Sequence, residues 1–386
     1  MKLIFDLTKT QPIGNTKFHG GGKYGEIVFK SLAGSSKNIV AYYNSEKWLN
    51  PEIAQICKDN HLTMVDSNQR SLQETVAEHP GVVYSPIIET DLNSIGDNIT
   101  YITTVHGLRV LELPYDKYIG HYRSKSFKMG YDLYYKYKSK KTFDLTLKKY
   151  REVFQKKNIH VVTVSEHSKA SILSFVPYLK QEDIEVFYSP STVGEMKKIE
   201  PYEAGEKYYM MVSADRWVKN ALRAAMAFDE IFTERPDFKG KVILTGSKNK
   251  HIFDKYIKNT SRFVFVDYVD GKTLLSMYKG AYLFVYPSLN EGFGYPPVEA
   301  MTLGTPIIAS AISSITEICG DSALYFNPLM VSEIKMRILQ MENKQLRAEF
   351  IRKQEKRVQE VRERQDNDLE KLTQYILSHV NQSVNA

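Results

Sequence analysis

The stretch FVYPSLNEGFGYPPVEAMTLGTPIIAS, Phe284 to Ser310, holds two short apolar runs on either side of a glycine-containing loop and a brief helical pattern. The first run stops at Pro287, and the loop Ser288–Tyr295 carries Gly292 and Gly294. Pro296 and Pro297 preset the first helical turn, Gly304 closes the helix, and Pro306 opens the next strand. This is one strand–loop–helix–turn–strand unit, and units of that kind build parallel sheets covered by helices. A glycine turn that feeds a helix presents backbone N–H groups beside the positive end of the helix dipole, a place suited to phosphate.

The same alternation runs outward in both directions. Strands are expected at Lys2–Leu7, Asn38–Tyr43, Thr63–Asp66, Val82–Ser85, Thr100–Val105, His160–Val164 and Ile184–Tyr188, then at Tyr208–Ser213, Lys241–Thr245, Phe263–Asp267, Tyr282–Tyr286, Pro306–Ala309 and Ala323–Phe326. Many are continuous Val/Ile/Phe/Tyr runs, as in parallel strands buried on both faces. With 386 residues, the chain exceeds one ordinary core. The reading is α/β, with two Rossmann-like doubly wound domains facing a cleft. Residues 1–188 form the first domain and 189–360 the second, and 361–386 form a helix returning to the first. Ser189–Lys207, rich in Pro, Gly and charge, is the expected linker. In the tail, Leu369, Leu372, Tyr375 and Ile376 form an apolar stripe.

Composition is globular, at 42% hydrophobic and 25% charged. Cys57 and Cys319 match no metal spacing and suit a reducing compartment. The opening MKLIFDLTKT is too brief for a signal-peptide core, and no apolar run nears the ~20 residues of a bilayer span. A cytoplasmic or peripheral protein is expected. Of the net +7, the segment Lys117–Lys157 alone carries +10, from 13 Lys/Arg against Asp132, Asp144 and Glu152. Tyr122, Phe127, Tyr131, Tyr134, Tyr135 and Tyr137 interleave with these cations. The pattern fits an anionic membrane surface and equally a solvated, Tyr-rich helix. No nucleic-acid module accompanies it. Asp366-Asn-Asp368, the sole Asp-x-Asp, reads as a solvated helix face, so no metal site is expected.

Glu291 and Glu299 flank the glycine turn, spaced as Glu, seven residues, Glu. A carboxylate can accept two hydrogen bonds from vicinal hydroxyls, so two carboxylates suit a hexose and a ribose. Alone, the pair equally reads as a loop acid and a dipole-complementing helix acid. Glu291-Gly-Phe-Gly-Tyr-Pro-Pro-Val-Glu299-Ala-Met, preceded by Tyr-Pro-Ser and followed by Gly304-Thr-Pro, resembles the signature of the family 4 retaining glycosyltransferases of the glycosyltransferase B fold. Val266-Asp-Tyr-Val-Asp and Ser213-Ala-Asp-Arg216-Trp-Val-Lys219-Asn220 are similar to that family as well. The likeness spans the second domain well and the first loosely.

The resemblance implies roles. Glu291 contacts the transferred sugar, the turn Gly292, Phe293 and Gly294 contacts sugar and phosphates, and Glu299 holds the ribose. Arg216 and Lys219 neutralise the diphosphate, which accords with charge developing on the leaving oxygen. Val269 lines the base pocket. In the first domain, His19-Gly20-Gly21-Gly22-Lys23-Tyr24-Gly25 resembles the family's glycine loop, with Gly21 and Gly22 near donor and acceptor. His106, in Thr103-Thr-Val-His-Gly107, looks like the family's cleft histidine, and it also reads as a satisfied structural His. His167 belongs to a helix start capped by Ser165.

The implied reaction is transfer, with retention, of a hexose or deoxyhexose from a nucleoside diphosphate sugar to a saccharide or lipid-linked acceptor in bacterial surface polysaccharide or lipopolysaccharide synthesis. No cofactor or essential metal is expected. A sugar-nucleotide epimerase or phosphorylase of the same fold, and a non-catalytic sugar- or lipid-binding scaffold, are the competing readings.

Overall fold

The computed structural model describes residues 1–14, 18–90, 96, 99–122, 125–193, 199–248 and 250–382; the side chains of 125–128 and 382 are not described. Part of the expected linker (194–198) and the Phe127 side chain lie outside the described set. The chain divides into two compact units. One comprises 1–111, 143–192 and the chain from 363 onward, the other 112–142 and 193–362.

Among the described residues, the first unit holds seven parallel strands: β1 Lys2–Asp6, β2 Ile39–Tyr43, β3 Thr63–Asp66, β4 Gly81–Ser85, β5 Thr100–Val105, β6 Ile159–Thr163 and β7 Ile184–Val186. Their order is β3-β2-β1-β4-β5-β6-β7. The second holds β8 Tyr208–Met211, β9 Lys241–Thr245, β10 Phe263–Val266, β11 Leu283–Tyr286, β12 Ile307–Ser310 and β13 Leu324–Phe326. Here the order is β10-β9-β8-β11-β12-β13. Every strand pairing is parallel, for example Phe5 with Ala41 and Tyr84, and Phe284 with Ile307 and Met210. The inner strands are buried on both faces, which is why apolar runs rather than alternation encode them, while the edge strands β3, β7 and β10 are partly exposed. In each sheet the order reverses at one place, between β1 and β4 and between β8 and β11. Ligands of such sheets gather outside the strand carboxyl ends at that reversal.

Helices join the strands with locally encoded ends. Ser71 and Glu74 form a capping box for Leu72–Glu78. Ser165 accepts from Ser168 N to cap Glu166–Phe175, as its position before His167 predicts. Helix Ala221–Glu234 buries Leu222, Phe228 and Ile231 in the second core, each worth about 1.5–3 kcal/mol.

The last helix, Lys344–Gln382, places Leu372, Ile376 and Val380 in the interior. Ser31 and Thr373 share a hydrogen bond of 2.8 Å, and Tyr375 packs on Phe187. Asp368 departs from the solvated face expected of it: it is 6% exposed. Its Oδ2 accepts from Tyr188 N at 2.9 Å and from Arg364 Nε at 3.3 Å, because helix periodicity brings it to the same side as Leu372. The basic Tyr-rich segment contains the helix Lys125–Phe154. Phe143, Leu147, Tyr150 and Phe154 repeat at helical spacing and pack into the first unit's core. Upstream, Met129, Leu133 and Tyr137 are exposed. Among the described residues no helix is long and apolar enough to cross a membrane.

Candidate functional site

At the second sheet's reversal, the chain leaves β8 through Ser213, whose φ is +53°, and leaves β9 through Gly246, at φ +61°. A Cβ on Gly246 would lie 3.0 Å from Ser213 Cα, so glycine suits both the close approach of these backbones and the left-handed φ. Ala214 N donates to Thr245 O and Asp215 N to Gly246 O, which prolongs the ladder past the strand ends. A single 3₁₀ turn, Trp217–Lys219, follows. Arg216 is exposed at its start, and Lys219 is buried at its end.

Opposite, the chain leaves β11 through Pro287 and Ser288. Lys219 Nζ donates to Glu291 Oε1 at 2.7 Å and to Tyr286 OH at 3.1 Å. Ser288 Oγ also donates to Glu291 Oε1. The cation and the carboxylate are 7% and 11% exposed. Burial first, then the Glu291 charge, holds the Tyr286 phenol well above its ordinary pKa, while Arg216 opposes them. The two loops are locked together: Leu289 N donates to Val218 O at 2.7 Å, and Asn220 Nδ2 donates to Pro287 O at 2.9 Å. A third loop closes on Glu291, whose N–H donates to Ser313 Oγ at 3.0 Å; Ser314 Oγ donates to the carbonyls of Glu291 and Phe293.

The glycine turn ends at Gly294, φ +110°, the cap of helix Tyr295–Thr302. A Cβ there would meet no atom within 4 Å, so conformation rather than crowding calls for glycine. Pro296 and Pro297 carry no N–H, which confines the donors of the first turn to Phe293, Gly294, Tyr295 and Val298. Glu299 lies on this helix beside Tyr278; burial first and then the Glu299 charge push that phenol well above its ordinary pKa. Val269 follows the edge strand β10, two strands from β8.

In the first unit, Gly20–Gly22 form the first turn of helix Gly20–Ser35 rather than a loop before it. His19 makes this possible: its Nδ1 accepts from Gly22 N at 2.9 Å. A Cβ on Gly22 would lie 2.9 Å from both His19 Nε2 and Thr10 O. His106 follows β5, next to the reversal strand β4. Its Nε2 lies 2.8 Å from Pro86 O, and a carbonyl can only accept, so Nε2 carries the proton and Nδ1 is left as an acceptor. Burial lowers its pKa to about 4, keeping the ring neutral near pH 7. Tyr24 meets the ring edge-on at 4.7 Å, and its hydroxyl joins Tyr84 and Thr104 in a buried cluster.

The structure thus gathers Arg216, Lys219, Glu291 and the 292–294 turn at one reversal, and Gly21, Gly22 and His106 near the other. Sequence reasoning missed Tyr286, Ser288, Ser313 and Asn220, which fix the charged pair. Only Asn220 gave a signal, since Asn tolerates the left-handed φ of +56° found there.

Residues 193–357 match the family model described as glycosyl transferases group 1. The O-antigen chain mannosyltransferase RfbU of Salmonella typhimurium is 31% identical over 172 residues, 44% of this chain and 47% of that one. The O-antigen chain mannosyltransferase B of Escherichia coli is 25% identical over 192 residues, 47% and 50% of the two chains. The matches span about half the length of these relatives. Among solved structures, sucrose-phosphate synthase from Thermosynechococcus elongatus superposes with a TM-score of 0.69 at 14% identity, over 98% of this chain and 100% of that one. Anabaena HepE in complex with UDP and glucose does so with 0.62 at 12% identity, over 98% and 100%. These likenesses establish the fold, the glycosyltransferase B fold. In sequence, the stretch 193–357 is similar to the glycosyl transferases group 1.

Proposed function

We propose that the protein transfers a hexose or deoxyhexose from a nucleoside diphosphate sugar to a saccharide or lipid-linked acceptor, with retention and without an essential metal, in the assembly of a surface polysaccharide or lipopolysaccharide. The observation that carries this reading is the buried Lys219–Glu291 pair at the second sheet's reversal, beside Arg216 and the glycine turn. The mannosyltransferase relatives support the substrate class.

The bond from the anomeric carbon to the phosphate oxygen breaks, and the acceptor hydroxyl oxygen bonds that carbon on the same face. The hydroxyl proton passes to the leaving phosphate. Arg216, Lys219 and the amides of Phe293 and Gly294 stabilise charge on the diphosphate, where preorganised donors have most effect. Glu291 accepts from the sugar hydroxyls and Glu299 from the ribose, while Val269 borders the base. Neutral His106, with Nδ1 as acceptor, orients a hydroxyl near the Gly21–Gly22 turn. No residue is required as a covalent nucleophile.

A panel of GDP, UDP and dTDP sugars with candidate acceptors tests this. Acceptor-dependent release of the nucleoside diphosphate is expected. Interconversion of the sugar would mark an epimerase, and binding without turnover a scaffold. Glu291→Ala and Arg216→Ala should each abolish transfer with the fold intact; near-normal rates in both would defeat the assignment. EDTA should leave the rate unchanged, and the product should keep the donor's anomeric configuration by NMR.

The exposed face Met129, Leu133 and Tyr137, with Lys136, Lys140 and Lys141, favours peripheral binding to anionic lipid at the inner face of the cell membrane. Charge reversal across 136–141 should release the protein from phosphatidylserine vesicles and spare activity on a soluble acceptor. Absence of vesicle binding by the unmodified protein would refute this part.

A further inference from the structure

Asp116 and Arg223 belong to no expected site, yet they form a buried two-pronged pair. Arg223 Nη2 donates to Asp116 Oδ2 at 2.7 Å and Nη1 to Oδ1 at 3.3 Å, with side-chain exposures of 3% and 6%. The guanidinium lies 4.6 Å from the Tyr118 ring centroid. Its Nε is buried without a hydrogen-bond partner. Pairs of this kind are often matched or exceeded in stability by apolar residues of similar volume, and an unpartnered Nε adds to the cost. Stability is therefore a poor explanation for the pair.

Its remaining bond points elsewhere. Arg223 Nη1 donates to Asn220 Oδ1 at 2.8 Å, fixing which way that amide faces. The Asn220 Nδ2 then donates to Pro287 O and Pro328 O, at 2.9 and 2.8 Å. Asn220 directly follows Lys219, and Pro287 begins the loop that carries Glu291. The segment bearing Asp116 also reaches the other end of the pair, because Asn290 Nδ2 donates to Glu112 Oε2. Tyr122 OH accepts from Leu222 N at 3.4 Å, and His121 lies 2.8 Å from Tyr256 OH.

We propose that residues 112–122 act as a strap that sets the spacing of Lys219 and Glu291, with Asp116 and Arg223 as positioning residues that touch no substrate. This rests on the donor-site reading above. The strap is drawn from the first half of the sequence, but it belongs to the unit that carries the donor residues.

The test is the double variant Asp116→Leu/Arg223→Met, with Arg223→Lys as a second variant that keeps the charge and loses the fork. Melting temperature within a few degrees of the parent, with kcat on the active sugar nucleotide reduced about 10–100-fold, is expected for the double variant. Amide hydrogen exchange without nucleotide should quicken at least about tenfold in 217–222 and 287–291, in both variants, while β12 and β13 stay protected. Parental exchange in those loops, or parental kcat in a folded variant, overturns the proposal. Inactivity of the unmodified protein on every sugar nucleotide would defeat the functional reading, and the exchange result would still decide this one.

Discussion

Replacing Lys219 by Met should destabilise the second unit far more than a surface substitution would. The change removes from Glu291, 11% exposed, the ammonium that donates to its Oε1 at 2.7 Å. Removing one partner of a buried pair costs about 3–5 kcal/mol; the lower end applies here, because the carboxylate keeps some contact with water. For a unit of this size each kcal/mol moves the melting temperature by about 2–4 °C, so a drop of about 6–12 °C is expected. Differential scanning calorimetry reads it as a shift of the second unit's transition. Adding Glu291→Gln to Lys219→Met should recover most of the loss, since no uncompensated charge remains, while transfer stays absent in both. A loss under about 1 kcal/mol for Lys219→Met, or no recovery in the double variant, would show that the two groups do not form a buried pair in solution.

Three further outcomes follow from the geometry. The folded His106 pKa, about 4, lies below the ordinary 6.5, so the native state binds fewer protons between those values. Stability from this residue is complete above pH 6.5 and declines as pH falls towards 4, by up to about 3 kcal/mol; an NMR titration midpoint near 6.5 would contradict it. Gly22→Ala should weaken the first unit by crowding His19 and Thr10, whereas Gly294→Ala, with open space around it, should cost only the about 1–2 kcal/mol of a left-handed φ; calorimetry of each variant would distinguish them. Ending the chain at Arg362 removes buried Leu372, Ile376 and Val380, a loss of about 5–9 kcal/mol, and should leave the first unit unable to fold, as limited proteolysis would report.

The strands were legible in the sequence because burial on both faces leaves continuous apolar runs. Gly81–Ser85, Thr100–Val105 and Lys241–Thr245 fall where that rule puts them. Gly294 and Gly304 were legible as turn points because a positive φ selects glycine. Asp368 was misread because a charged, exposed-looking helix gives no sign that Tyr188, 180 residues earlier, needs an acceptor. Gly20–Gly22 read as a loop because a glycine run lacks helix propensity; the cap from His19 and the packing of Tyr24 override it. The charges Arg216, Lys219 and Glu291 were visible through resemblance, but their supports were not. Ser288 and Ser313 are commonplace residues in loops, and Asp116 and Arg223 are joined only by the fold.

The most direct measurement is a crystal structure of the protein soaked with GDP-mannose and, in parallel, UDP-glucose. The diphosphate is expected at the carboxyl ends of β8 and β11, within hydrogen-bond reach of Arg216, Lys219 and the Phe293 and Gly294 amides, with Glu291 on the sugar. A nucleotide seated away from that reversal, or density there that leaves Glu291 and Lys219 without contact to it, would contradict this placement of the donor site.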